Sequence, residues 1–202
     1  MTATLTRPAS YREAMRIDLP EIDQDGVRVS RFEVGKPDVW AKLAYLQGGA
    51  RGLTTPGTYT RLDVDGRLWM SDTDDEMRDH AEAYREMSRR GGRVLIHGLG
   101  LGMVVKAALA LPNVERVDVV EIDPRVIAAI GPHYEGERCS IHLGDALTLD
   151  WPKGSRWSVV WHDIWPEITA GNLPTMHRLH RRFGRRSDWQ GSWARYYCER
   201  GR

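Results

Sequence analysis

Alternating apolar and polar residues predict strands in the first third of the chain. Over Val27–Val34 the two kinds of side chain alternate, which is the pattern of a strand with one buried face. Thr58–Val64 and Arg67–Met70 flank the dipeptide Asp65-Gly66, and this combination predicts a β-hairpin with a tight turn. The region from Gly26 to Ser71 is therefore predicted to be strand-like, after an irregular or weakly helical start.

A single helix is predicted to follow the hairpin. The sequence Thr73-x-x-Glu76 matches a capping box, in which the two side chains satisfy free N–H groups at a helix start. Met77 and Tyr84 are among the residues that recur at helical spacing. The glycines at 91 and 92 predict the end of this helix.

From residue 93 onward, apolar runs alternate with helical stretches, which is typical of a parallel sheet with crossover helices. One crossover helix is predicted over Met103–Leu111, and another begins at Pro124 with Asp123 as its N-cap. Right-handed crossovers give the strand order 3-2-1-4, so a ligand crevice opens beside the first strand. The four predicted strands are Arg93–His97, Arg116–Glu121, Ser140–Leu143 and Trp157–His162.

The residues after the fourth strand predict a reduced C-terminal half of the sheet. Asn172 is predicted to cap a last helix with Pro174 in its first turn, and Trp193–Cys198 is predicted as one more strand. An open edge at the fourth strand promotes aggregation, so a partner subunit, the N-terminal segment or the C-terminal residues should cover it.

The predicted fold class is α/β, a Rossmann-like parallel sheet with a small N-terminal β-rich segment. The predicted parts are the N-terminal segment (1–72), the Rossmann-like domain (73–171) and a basic C-terminal helix or tail (172–202).

Glycines and an acid at the strand ends predict what this fold binds. Gly98, Leu99, Gly100 and Gly102 form a G-x-G-x-G turn that directly follows the first strand.

Glycine lets such a turn approach a ligand closely, and the next helix points free N–H groups toward it. Glu121, followed by Ile122, ends the second strand, where a carboxylate can accept both hydroxyls of a ribose. The pattern predicts a nucleoside-cofactor site and differs from the dinucleotide pattern G-x-G-x-x-G.

This arrangement resembles the class I S-adenosylmethionine (SAM) fold, and the stretch from Thr60 to Asp163 resembles its spermidine-synthase-like branch. The similarity lies in the hairpin 61–71, in Arg93-Val94-Leu95-Ile96 with its glycines, in 117–124 and in Gly144-Asp145-Ala146. The resemblance implies SAM or decarboxylated SAM as the cofactor. It also implies ribose binding by Glu121, adenine binding at Asp145 and Ala146, and an acid–base role for Asp163 next to the transferred group.

Two departures separate the chain from this branch and from typical methyltransferases. The branch usually carries an acid where this chain has Leu101, and methyltransferases usually carry one where it has His97. The polyamine-site residues of the branch have no obvious counterpart. We therefore favour methyl transfer from SAM to an unidentified small-molecule acceptor. The alternatives are an aminopropyltransferase and a non-catalytic SAM- or nucleoside-binding protein.

The end of the fourth strand supplies further candidates. His162 is an alternative base to Asp163, although a histidine at a strand end is more often satisfied by packing. Trp161 and Trp165 could line an acceptor pocket, or they could be core aromatics. With two cysteines and no C-x-x-C pair, the chain gives no sign of a disulfide framework or a structural zinc site.

Charge is unevenly distributed although the net charge is +1. Residues 172–202 contain eight arginines against Asp188 and Glu199, a local charge of +6. This basic segment could bind nucleic acid, or it could be a solvated helix face. No apolar run is long enough to span a membrane, and the first residues lack a signal-peptide core, so we expect a cytoplasmic protein. A homodimer is a further expectation from the short sheet and the resemblance.

Overall fold

The computed structural model describes residues 10–46 and 53–201. The first nine residues and residue 202, which belong to the predicted N-terminal and basic segments, lie outside the described residues. An antiparallel sheet with the order β1-β2-β3-β4 forms the N-terminal part. Asp65 (φ 51°) and Gly66 (φ 74°) form the tight turn between β3 and β4, which confirms the predicted hairpin. The elements are α1 (Tyr11–Met15), β1 (Ile22–Gln24), β2 (Val27–Val34), α2 (Val39–Leu46), β3 (Gly57–Val64) and β4 (Arg67–Ser71).

Helix α2 corrects the prediction that Gly26–Ser71 is strand-like throughout. It lies between β2 and β3, and the Asp38 carboxylate accepts a hydrogen bond from the Ala41 N–H at its first turn (2.7 Å). Its large apolar side chains, among them Trp40 and Leu46, are exposed. The sequence pattern missed the helix because these residues pack on no described core, so no buried stripe shows in the sequence.

The helix predicted after the hairpin is two helices, α3 (Asp74–Asp79) and α4 (Ala81–Arg90). They meet at His80, which is buried and has a backbone φ of −95° and ψ of −1°. Thr73 precedes α3, but its side chain makes no capping hydrogen bond, so the capping-box prediction was wrong in detail. Gly91 (φ 62°) ends α4 as predicted, because glycine adopts this left-handed backbone without strain.

A five-stranded parallel sheet with the order β7-β6-β5-β8-β9 follows. The order of its first four strands confirms the predicted 3-2-1-4 arrangement. Alternate residues of β5 face opposite sides: Val94 and Ile96 pack with α4, α5 and α6, whereas Leu95 packs with α7. The elements are β5 (Gly92–His97), α5 (Met103–Leu109), β6 (Val114–Glu121), α6 (Pro124–Ile130), β7 (Cys139–Leu143), β8 (Trp157–His162), α7 (Leu173–Phe183), β9 (Ser187–Ser192) and α8 (Arg195–Glu199).

The strand predicted at Trp193–Cys198 was wrong, since the fifth strand is β9 and the predicted residues turn into α8. The ladder ends where the Trp193 N–H donates to the His162 carbonyl, and Ala194 then adopts a left-handed backbone (φ 51°). Strand β9 covers the β8 edge, so the chain's own C-terminal residues protect it. Asn172 precedes α7 as predicted, but its side-chain amide donates to the Glu167 carbonyl instead of capping the helix.

Polar contacts hold the N-terminal part together and join it to the parallel-sheet part. Within the N-terminal part, the Asp72 carboxylate, buried after β4, accepts N–H bonds from Ile17 and Thr60. At the surface, Arg125 of α6 binds the carboxylate of Asp65 in the hairpin turn. Among residues 10–46 and 53–201, none of the helices combines the length and the hydrophobicity that a membrane span requires.

Candidate functional site

A cavity of about 400 Å³ opens at the carboxyl ends of the central strands and against the N-terminal hairpin. Pockets of this size are typical of small-molecule sites. The structure brings most of the predicted site residues to this cavity. Its walls include Gly98, Gly100, Glu121, Ile122, Asp145, Ala146, Asp163 and Trp165, whereas Leu99, Gly102, Trp161 and His162 are not among the residues that line it.

The glycine turn brings three strands into close contact. Gly98 (φ 94°) lies so close to the Asp163 carbonyl that a side chain at this position would clash with it. Gly100 (φ 50°) leaves room for the thioether of Met70, which reaches over the turn from β4. The sulfur of Met70 accepts a hydrogen bond from the Leu101 N–H (3.2 Å). One wall of the cavity therefore comes from the N-terminal sheet.

Glu121 is held in place by backbone amides on both sides of the crevice. One carboxylate oxygen accepts the Leu99 N–H (2.8 Å), and the other accepts those of Ile122 (2.7 Å) and Asp123 (2.9 Å). The residue is 5% exposed, with its remaining surface at the cavity. Three N–H donors stabilise the charged carboxylate, so Glu121 is a fixed anionic acceptor.

Asp145 and Ala146 lie after β7 at the neighbouring position of the same wall. One carboxylate oxygen of Asp145 accepts the Leu147 N–H (2.8 Å), and this bond fixes the turn. Ala146 is buried beneath it. Ile122, whose side chain is 66% exposed, borders the cavity between Glu121 and Asp145. The wall therefore offers two carboxylates separated by an apolar surface, an arrangement that suits a nucleoside.

Asp163 lies beside a buried histidine in the wall of the cavity. Its carboxylate lies 3.7 Å from His80 Nε2. Since the indole N–H of Trp161 donates to His80 Nδ1 (3.2 Å), the proton of the neutral imidazole lies on Nε2, toward Asp163. Burial raises the pKa of Asp163 well above its usual range, and the nearby carboxylates of Glu76, Asp79 and Glu121 raise it further. Asp163 is therefore a carboxylate with an increased affinity for a proton.

Trp161 and His162 lie behind this wall. Trp161 is 1% exposed, stacks on Trp189 and supports His80 through its indole N–H. The His162 ring is fully buried, and it stacks on His97 with the two Nδ1 atoms 2.7 Å apart. Burial lowers the pKa of His162 to about 3. The structure thus places His162 in the packed interior behind the cavity wall, and its side chain does not line the cavity.

Sequence analysis missed several residues of the site. His80 and Glu76 reach the cavity from the junction of α3 and α4, and Trp69 and Met70 reach it from the hairpin. Trp193, which follows β9, also lines the cavity, together with Trp165 and Pro166. A histidine inside an otherwise regular helical pattern was the one available signal, since His80 interrupts the predicted helix.

Two curated relatives share part of the sequence. A polyamine aminopropyltransferase of Synechococcus sp. is 31% identical over 125 residues, which cover 54% of this chain and 40% of the relative. Polyamine aminopropyltransferase 2 of Streptomyces coelicolor is 37% identical over 96 residues, covering 43% of this chain and 17% of the relative. The chain thus spans less than half the length of these relatives. Both matches agree with the spermidine-synthase-like resemblance. No family model matches the chain.

Solved methyltransferases show a limited structural similarity. An N-methyltransferase from Bradyrhizobium japonicum has a TM-score of 0.42 and 14% identity, covering 56% of this chain and 65% of the other. A SAM-bound amino pentose methyltransferase from Micromonospora echinaspora has a TM-score of 0.36 and 24% identity, covering 52% of this chain and 41% of the other. Similarity of this degree concerns the fold and does not extend to a reaction.

Proposed function

We propose that the cavity binds SAM and that the protein transfers its methyl group to an amine of a small, cationic acceptor. The observation that carries the proposal is Asp163, a carboxylate of raised pKa that faces the cavity next to His80 and opposite Glu121. An amine must lose a proton as it is alkylated, and such a carboxylate can accept it.

The residues at the carboxyl ends of β6 and β7 fit the nucleoside part of the cofactor. Glu121 can accept the ribose hydroxyls on the oxygen surface that its three amide donors leave open. Asp145 can accept a hydrogen bond from the adenine amino group, and Ile122 offers an apolar surface beside the base. The glycine turn lets the ligand approach the backbone closely, because Gly98 and Gly100 have no side chains.

The opposite part of the cavity suits a cationic acceptor. Glu76 and Asp163 provide negative charge there, and Trp69, Trp165 and Trp193 provide aromatic surface. Cations are attracted to both features. SAM supplies an electrophilic methyl group. Methyl transfer would leave the carbon–sulfur electron pair on sulfur, and Asp163 would accept the proton that the acceptor nitrogen loses. His80 can hold the Asp163 carboxylate in position through its Nε2–H.

Aminopropyl transfer from decarboxylated SAM is the second candidate, and the two matches to polyamine aminopropyltransferases favour it. It would use the same cavity and the same proton acceptor. Leu101 argues against it, since this buried side chain supplies no charge where the resemblance implies an acid. The two candidates differ in their products, S-adenosylhomocysteine for the first and methylthioadenosine for the second.

Calorimetric titration and product analysis test the proposal. We expect SAM and S-adenosylhomocysteine to bind, and Glu121→Gln to weaken both by at least tenfold through loss of the anionic acceptor. If Glu121→Gln does not fold, Asp145→Ala tests the same contact region. Incubation with SAM and a panel of diamines should yield S-adenosylhomocysteine in the wild type.

The Asp163→Asn variant should bind SAM normally but lose at least 100-fold in turnover, while the exposed Asp150→Asn serves as the matched control. Release of methylthioadenosine from decarboxylated SAM would favour the second candidate. Absence of binding by either cofactor would refute both.

A further inference from the structure

The exposed side of α7 carries arginines that the cavity does not use. Arg178 and Arg181 lie on this side, and Arg185 extends it beyond the helix end. The opposite side of α7 is fully buried through Met176, Leu179 and Phe183, so the orientation of the helix is fixed. We call the surface formed by Arg178, Arg181 and Arg185 the arginine face.

Unlike most arginines in the described part of the chain, these three guanidinium groups have no anionic partner among the described residues. Many arginines elsewhere pair with carboxylates, as Arg89 does with Glu86 (2.7 Å) and Arg195 with Glu199 (2.8 Å). Arg182, between the members of the arginine face, reaches the Leu149 carbonyl and Asp150. Within the described residues, no carboxylate lies within ion-pair distance of the arginine face.

The spacing makes this arrangement unfavourable for the isolated chain. Arg178 and Arg181 are three residues apart on one side of α7, so their like charges repel each other at a cost to the helix. The helix dipole offsets part of this cost for Arg181 in the last turn, but not for Arg178 in the middle of the helix. A bound polyanion would remove the repulsion.

We propose that the arginine face binds the phosphodiester backbone of nucleic acid without sequence preference. Guanidinium groups bind phosphate oxygens through paired N–H donors. The exposed positions of the helix carry no large apolar side chain, so the face lacks the anchor that a protein interface or a membrane surface requires. It also lacks an exposed aromatic platform, so contact is with the backbone and not with stacked bases.

Counterion release gives the expected size of the effect. Each phosphate contact contributes about −0.7 to the slope of log K against log salt for single strands and about −0.9 for duplex DNA. Three phosphate contacts therefore contribute about −2.1 to this slope for single strands and about −2.7 for duplex DNA. Between 50 and 200 mM salt, this part of the affinity falls about 20-fold for a single strand and about 40-fold for a duplex.

Fluorescence anisotropy with the full chain tests the proposal, using labelled 20-nucleotide single-stranded RNA, single-stranded DNA and duplex DNA. The test variant replaces Arg178, Arg181 and Arg185 with glutamine. The matched control replaces Arg28, Arg31 and Arg67 with glutamine. These are three exposed arginines of the N-terminal sheet, so both variants change the net charge equally. Thermal melting of each variant verifies that the fold is intact.

We expect micromolar to submillimolar binding by the wild type near physiological salt, and the same by the control. The test variant should lose about two units of salt slope on single strands. Equal loss in the control, or no loss in the test variant, would overturn the proposal. So would binding of polyglutamate or of phosphatidylserine vesicles in preference to all three oligonucleotides. Cofactor binding is measured separately. Absence of nucleic-acid binding would therefore not affect the reaction proposed for the cavity, and absence of cofactor binding would not affect the proposal for the arginine face.

Discussion

Lowering the pH from 7 to 5 protonates the histidines of the unfolded chain but leaves the buried pair His97 and His162 neutral in the folded one. The Gln190 amide N–H₂ donates to the His180 carbonyl, so its oxygen accepts the Nε2–H of His162. His162 Nδ1 then accepts the Nδ1–H of His97, and His97 Nε2 has no hydrogen-bond partner among the described residues. Burial lowers the pKa of both rings, for His162 to about 3.

The sign of the effect follows from these pKa values. An unfolded histidine has a pKa of about 6.5, so below that pH the unfolded state binds more protons than the folded state. The contribution of the pair is present in full above pH 6.5 and is lost as the pH falls toward the folded pKa. Each ring contributes about 1.4 kcal/mol per pH unit, so the pair removes about 4 kcal/mol between pH 7 and 5. That loss is a large part of a typical unfolding free energy of about 5–15 kcal/mol.

Urea unfolding followed by tryptophan fluorescence at constant ionic strength measures this slope. We expect the pair to contribute about 2.4 kcal/mol per pH unit between pH 6 and 5. His180, whose pKa burial lowers to about 4, adds to this slope, and Asp163 opposes it because its raised pKa lets the folded state bind an extra proton. The His162→Gln variant should lower the slope by about 1.2 kcal/mol per pH unit, while His177→Gln, on the exposed side of α7, should leave it nearly unchanged. A wild-type slope below about 1 kcal/mol per pH unit would refute the reasoning.

Two further predictions concern stability. Gly98→Ala should lower the unfolding free energy by about 2 kcal/mol or more, because the new side chain would clash with the Asp163 carbonyl at a residue of positive φ. The control Gly136→Ala has open space around it and should have little effect in the same urea unfolding assay. Trp157→Phe should lower the free energy of unfolding by about 1–3 kcal/mol, because the buried Asp118 carboxylate loses the hydrogen bond from the indole N–H (2.8 Å). A thermal melting temperature within 1 °C of the wild type, which corresponds to about 0.3 kcal/mol, would contradict this.

The parts of the fold and site that sequence predicted depend on strand ends. Parallel strands have their carboxyl ends at one edge, so an acid directly after an apolar run can be placed without knowing the rest of the structure. Glu121 was located in this way, whereas Asp145 and Asp163 were implied by the resemblance, and all three line the cavity. The strand order followed equally from right-handed crossovers.

The parts that sequence could not predict depend on long-range packing. Strand β9 has the sequence Ser-Asp-Trp-Gln-Gly-Ser, which lacks a regular apolar pattern, and it is held by the ladder to β8. Gly191 of this strand lies against the ring of Trp161, a contact that no local pattern indicates. His80 was missed because its partners, Trp161 and Asp163, are some eighty residues away in sequence.

The position of Met70 links ligand occupancy to a sheet that shares no strand with the parallel one. Since Trp69 and Met70 line the same cavity as Glu121, a ligand touching both walls binds only while the hairpin is docked. Thermodynamic linkage then requires the ligand to stabilise the docked hairpin, by about 2.7 kcal/mol at a concentration 100 times its Kd. Slower hydrogen exchange at the amides of β4 should therefore report that the cavity is filled.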